Sequence, residues 1–197
     1  MDLLLTGSFG LANTTFTDTA TQTPRFRTST KGMQMGSKIH TIVYGIPPGS
    51  AAAAKYAVMD SAADGPGGGE PDDAQDGDDG ALEMVGAVDL ACYVTDRDHA
   101  VVVNSRVLTP RRLRGFSCSE TFTAADGREY KWKIESQLSG ECRLVDVQTK
   151  QTIAQCGGRS RLMRRAGKLH VEAEGLPVLN EIIATMVYLI RRWDNGW

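Results

Sequence analysis

Short strand-like runs of hydrophobic and polar residues recur along the chain, and one of them alternates strictly with a period of two. That run is 129–135, where Tyr130, Trp132 and Ile134 alternate with Glu129, Lys131, Lys133 and Glu135. Such a strand puts one face in a core and the other in water. Asp126-Gly127 just before it is a hairpin signal that joins it to the run at 120–123. Strand-like runs also occur at 14–17, 25–29, 38–46, 85–94, 100–108, 141–147, 151–156, 161–165 and 168–173. Turn residues separate them: Pro47-Pro48, Gly140, Gln148-Thr149-Lys150, Gly157-Gly158 and Ala166-Gly167. The residues before Asn13 read as an irregular start. No helical pattern lies between consecutive strands after Leu82, so the segments predict an antiparallel meander.

The period changes at the C-terminal end. Leu179, Ile182, Ile183, Met186, Ile190 and Trp193 recur at helical spacing, and Val178, Ala184, Val187 and Leu189 cover most of the remaining circumference. A helix with no solvated stripe has to be surrounded by lipid or by protein. A bilayer span needs roughly 20 apolar residues, whereas Asn180, Glu181, Arg191 and Arg192 bracket this run closely. Protein is the expected surround, and no transmembrane segment is expected. Pro177 suits a first helical turn, where its missing N–H is not needed. The predicted fold is mainly β, an antiparallel β-barrel of about 10–12 strands closed around a hydrophobic C-terminal α-helix over 176–193. The whole chain, 1–197, reads as a single domain.

Residues 48–81 interrupt the strand pattern. They are rich in Ala, Gly and Asp and hold little apolar surface to offset the entropy of ordering. The expectation is a disordered acidic insert between two strands. Asp60, Asp64, Glu70, Asp72, Asp73, Asp76, Asp78 and Asp79 lie there with no basic residue from 60 to 80, so the net charge of -2 conceals a mildly basic remainder. Within the insert, 72–83 approaches the spacing of a calcium loop, but Ala74 and Asp79 occupy positions that need a ligand and an apolar residue. It reads as linker.

The basic surplus gathers in two clusters. Arg111, Arg112 and Arg114 follow Pro110, and Arg159, Arg161, Arg164, Arg165 and Lys168 follow Gly158. If the two share a face, they make an anion- or membrane-binding site; the alternative is a solvated face that keeps the domain dispersed and protects strand edges. Nucleic acid is not expected, because no aromatic residues are interleaved with the arginines and the isoelectric point is about 5.9. Cys92, Cys118, Cys142 and Cys156 have no C-x-x-C spacing, and His40, His99 and His170 have no ligand spacing. The cysteines read as buried thiols, with disulfides and metal ligands as lesser alternatives. No metal, no cofactor and no catalytic constellation is expected.

The order of the elements also resembles a known group. The early strand Asn13, Thr14, Thr15, Phe16, Thr17 and Asp18 is one matching piece. The others are the hairpin with Phe122, Thr123, Asp126, Gly127, Arg128, Tyr130 and Trp132, and a terminal helix beginning Leu179, Asn180, Glu181, Ile182 and Ile183. Together they resemble the tubby-like superfamily, which includes LURP-one-related proteins and phospholipid scramblases, and more closely an uncharacterised fungal domain family of that barrel fold. The resemblance implies a β-barrel around a central helix and a role at phosphoinositide or other phospholipid surfaces. The functional expectation is a non-enzymatic, monomeric module that binds anionic phospholipid headgroups through its arginines, or alternatively a protein-interaction or scaffold module. The start of the chain lacks the basic and apolar stretches of a secretory signal. A cytoplasmic address is therefore expected, peripheral at a membrane if the arginines bind lipid, or nuclear.

Overall fold

The computed structural model describes residues 1–7, 13–31, 39–62, 82–90, 100–112, 119–136, 141–157 and 167–194. The alternating runs form strands β1 (Asp2–Gly7), β2 (Thr14–Asp18), β3 (Thr23–Lys31), β4 (Ile39–Gly45), β5 (Glu83–Leu90), β6 (Ala100–Val103) and β7 (Arg106–Leu108). They continue as β8 (Arg111–Arg112), β9 (Glu120–Thr123), β10 (Glu129–Ser136), β11 (Glu141–Asp146), β12 (Thr152–Gly157) and β13 (Gly167–Val171). Helix α1 (Ala51–Ala62) lies between β4 and β5, and helix α2 (Leu179–Asp194) follows a 3-10 segment, Ala173–Val178.

All thirteen strands belong to one antiparallel sheet, in the order β7-β6-β5-β4-β3-β2-β1-β13-β12-β11-β10-β9-β8. Every neighbour is also a sequence neighbour except β1 and β13, which pair from Asp2↔His170 to Leu5↔Gly167. The two outermost strands, β7 and β8, are separated only by Thr109-Pro110. Successive antiparallel pairings give both the same direction, so they act as one interrupted strand whose first part pairs with β6 and whose second pairs with β9. Pro110 has no N–H to contribute to a ladder and sits where the strand changes partners. Counted this way, twelve staves make a nearly closed barrel. Arg106 bridges the seam: its guanidinium donates to the Thr123 carbonyl at 3.3 Å and pairs with Glu181 of α2. The Glu181 carboxylate also accepts the Ala125 N–H at 2.7 Å.

Helix α2 occupies the barrel axis. Ile182, Ile183, Ala184, Met186 and Val187 are completely buried, and they share one core with Leu3, Phe16, Val43, Val88, Val101, Trp132, Leu144 and Leu169 of the wall. Midway along the helix the Trp132 indole N–H of the wall donates to the Thr185 hydroxyl at 3.0 Å. That hydroxyl donates in turn to the Glu181 carbonyl at 2.6 Å. The segment from Ala173 to Arg192 is long and apolar enough to cross a membrane by length and composition, but most of it is buried within the protein. Gly175 lets the chain enter this interior, because a Cβ there would come within 2.9 Å of Ile153 Cγ2 and Val171 Cγ1.

Several expectations need correction. The chain start is a strand: Leu3 and Leu5 face the core, and β1 joins the first and last parts of the sheet, a role that three consecutive leucines conceal because they do not alternate. The run at 100–108 is a hairpin, turned by Asn104 and Ser105 with φ of 48° and 64°. The helix expected from Leu176 begins at Leu179, with Pro177 in the preceding 3-10 segment. The run at 161–165 lies outside the described residues.

The insert is corrected in its first part, where 51–62 is helical; 63–81 lies outside the described residues. Ala52, Ala53 and Tyr56 pack with Ile46, and Leu82 leans on the same cluster, so a helix of modest apolar content is held by tertiary contacts. The Arg27 guanidinium stacks 4.1 Å from the centre of the Tyr56 ring. Tyr56→Ala is therefore expected to cost about 2 kcal/mol and lower Tm by about 4–8 °C in a thermal melt. An unchanged melt would show that α1 contributes nothing to the domain.

Candidate functional site

Of the eight basic residues singled out in the sequence, Arg111, Arg112 and Lys168 are described; Arg114, Arg159, Arg161, Arg164 and Arg165 lie outside the described residues. Arg111 is exposed on β8 opposite Thr121, whose hydroxyl donates to the Arg111 carbonyl at 3.4 Å. Lys168 is exposed on β13, between Leu4 of β1 and Gly157 of β12. Four strands, β9 to β12, separate β8 from β13. At about 4.8 Å per strand spacing, Arg111 and Lys168 are roughly 20 Å or more apart around the wall. They do not form one compact patch on one face.

They do share one end of the barrel. The succession of antiparallel pairs gives β8 and β12 the direction of β1, so Arg112, Gly157 and Gly7, the last residues of those strands, are at the same rim. Lys168 is the second residue of β13, which starts there. The opposite rim carries the tight turns at 104–105, 124–128 and 147–151. In the last of these, Asp146 Oδ1 accepts the N–H groups of Gln148 and Thr149 at 2.7 and 3.0 Å. Those backbone donors, Thr149 first, hold the Asp146 carboxyl below the usual range against the opposing effect of its burial.

The axial helix brings a buried ion pair to the same rim. Register places Arg112 opposite Glu120, the first residue of β9. Arg192 reaches Glu120 from the end of α2, its Nη1 donating to Glu120 Oε1 at 2.6 Å and to the Tyr188 hydroxyl at 2.7 Å. Glu120, Arg191 and Arg192 are all buried. Burial first, and then the Glu120 charge, push the Tyr188 phenol well above its ordinary value. The sequence offered one signal for this cluster, the arginine pair that ends an apolar helix; Glu120 was indistinguishable from a surface residue in a short strand.

Two histidine–carboxylate pairs sit on the outer wall. His40 Nδ1 is 2.5 Å from Asp89 Oδ1 across β4 and β5, and both groups are partly exposed. His170 Nδ1 is 2.6 Å from Asp2 Oδ1, with Glu172 Oε1 3.3 Å from its Nε2. The hydrogen bond to Asp2 raises the His170 pKa from its ordinary value, Glu172 adding to it, and lowers that of Asp2. Both pairs join neighbouring strands. Among the described residues no group of three or more His, Cys, Asp or Glu is arranged to hold a metal ion. His99, Cys92, Cys118 and most of the calcium-like run at 72–83 lie outside the described residues.

A model of a protein family of unknown function, DUF6593, matches residues 10–195. No curated protein and no solved structure matches the chain.

Proposed function

We propose that the chain, which belongs to the DUF6593 family, is a non-catalytic module that attaches reversibly to anionic membrane surfaces by one rim of its barrel. The observation that carries this reading is the shared direction of β8 and β12, the strands that lead into the two arginine clusters. Arg111, Arg112 and Lys168 lie at that rim, and the sequence beside them supplies Arg114, Arg159, Arg161, Arg164 and Arg165. Each basic side chain near an anionic leaflet contributes about 1 kcal/mol, so even part of this set gives appreciable attachment. An axis filled by α2 favours work at the outer surface over work in an enclosed cavity. Tubby-like ancestry is part of the same proposal, supported by twelve antiparallel staves around a C-terminal helix. The corresponding location is peripheral, at the cytoplasmic face of a membrane.

A second reading, a protein-interaction module, draws on a different surface. Ile42, Ala87, Val102 and Val107 are in register across β4, β5, β6 and β7. Val107 and nearby Met84 are each 64% exposed, which makes an outward apolar row.

Sedimentation of the full chain with phosphatidylcholine vesicles, with and without phosphatidylserine or phosphoinositide, separates the readings. Membrane attachment predicts binding only to the anionic vesicles, weakened by raised salt and lost in Arg111→Ala/Arg112→Ala/Arg164→Ala/Arg165→Ala. Absence of binding by a well-folded chain overturns it and leaves the apolar row as the surface to pursue.

A further inference from the structure

Cys142 and Cys156 occupy directly opposed positions on β11 and β12. Both side chains point into the core, 4% and 3% exposed, and both are reduced thiols. Opposed residues on antiparallel strands have Cα atoms about 4.5–5.5 Å apart, inside the range of about 4.4–6.8 Å that a disulfide spans. The two side chains are already in hydrogen-bonding contact. Joining them requires the sulfurs to rotate and approach across a Cα spacing that this register keeps within disulfide range.

Position along the hairpin matters as much as spacing. Cys142 is the second residue of β11 and Cys156 the penultimate residue of β12. Both are at the end of the hairpin remote from its turn, on the rim where Arg112 and Lys168 lie. In the closed barrel the hydrogen bond to Cys156, and then burial, raise the Cys142 thiol well above its ordinary pKa, which suppresses reaction. Strand ends, however, open locally at much lower cost than the whole domain. The pair is thus shielded in the resting barrel and available when this hairpin end opens.

We propose that Cys142 and Cys156 form a reversible cross-strand disulfide site, closed by exchange with a small disulfide of the glutathione class. One cysteine thiolate attacks a sulfur of oxidised glutathione and expels one glutathione thiolate, leaving a mixed disulfide on the protein. The second cysteine thiolate then attacks the protein-bound sulfur and expels the other glutathione. Two cysteine sulfurs are oxidised, one glutathione disulfide is reduced to two thiols, and the two cysteine protons end on glutathione. The product closes a loop of ~15 residues and ties the wall of the barrel beside the basic rim.

The test uses the full chain with Cys92→Ser and Cys118→Ser, so that only this pair remains. The protein is equilibrated in glutathione buffers of graded oxidised-to-reduced ratio in three ways: native, unfolded in urea, and refolded from urea into the same buffers. Each sample is acid-quenched, alkylated and peptide-mapped. The expected result is a linked Cys142–Cys156 peptide, reached from both native and refolding directions. Its half-oxidation point falls at a ratio on the order of a hundredfold lower in the native than in the unfolded chain. The oxidised form is expected to melt roughly 5–10 °C higher than the reduced one, the rise being reversed by dithiothreitol and absent when Cys142→Ser is added. The proposal is overturned if both thiols remain alkylatable from both directions. A persistent glutathione adduct, or coincident native and unfolded midpoints, overturns it equally.

Discussion

Removal of residues 175–197 is expected to abolish cooperative unfolding and leave insoluble protein. Helix α2 supplies the inner half of the core: Ile182, Ile183, Met186, Val187, Tyr188, Leu189 and Ile190 are all buried against the wall. Each such side chain contributes about 1.5–3 kcal/mol on burial, so the total, about 10–20 kcal/mol, is as large as the 5–15 kcal/mol that usually separates a folded domain from its unfolded chain. The strands alone would enclose an apolar void or collapse with their inward faces exposed. Circular dichroism melts and sedimentation of the expressed fragment check this, and a soluble fragment with a sharp melt would sink the axial-helix description. Ile183→Asp is the point-substitution counterpart, since an unpaired carboxylate at a fully buried position costs several kcal/mol. Exposed Gln155→Asp should change stability by only about 0.5 kcal/mol or less.

The second large effect concerns the ion pair at the basic rim. Glu120→Ala is expected to lose about 3–5 kcal/mol, because it removes the carboxylate that compensates the buried Arg192 guanidinium. For a chain of this length that corresponds to a fall of roughly 10 °C in Tm. The double variant Glu120→Ala/Arg192→Met should be clearly more stable than Glu120→Ala, since it also removes the stranded charge and keeps apolar volume. Urea titrations of the two single variants and the double complete the cycle. Additive losses would show that the two side chains act independently. Tyr188 gives an internal check: its hydroxyl accepts from Arg192, so its ring environment, followed by absorbance or NMR, should change in either single variant.

The rim and the ion pair bear on each other. Arg111 and Arg112 stand at the end of a stave whose register partner, Glu120, is engaged by the axial helix. Substitutions intended to probe lipid attachment therefore need a stability control. The Arg111/Arg112/Arg164/Arg165 quadruple variant tests the proposed function only if its melt matches that of the unaltered chain.

Period alone determined much of this protein. Alternation at 129–135 and the Asp126-Gly127 turn gave the β9–β10 hairpin, which the structure reproduces from Glu129↔Thr123 to Trp132↔Glu120. The all-round apolar character of the C-terminal segment required a protein surround, and the barrel supplies it. These features were legible because inside and outside are written into successive side chains by a local geometry of period two or 3.6. Other elements depended on partners distant in the chain. β1 is a strand because β2 and β13 flank it, α1 is a helix because Ile46 and Leu82 complete its apolar cluster, and β7 and β8 are one stave because β6 and β9 converge on it. Tertiary structure also decided which of these side chains meet. Arg111 and Lys168 are distributed around a rim instead of gathered on a face, Glu120 is buried because Arg192 reaches it, and Cys142 faces Cys156 through strand register. Sequence periodicity assigns each residue a side of its own strand; which strands become neighbours, and at which end of the barrel, is settled by the long-range pairings that close the sheet.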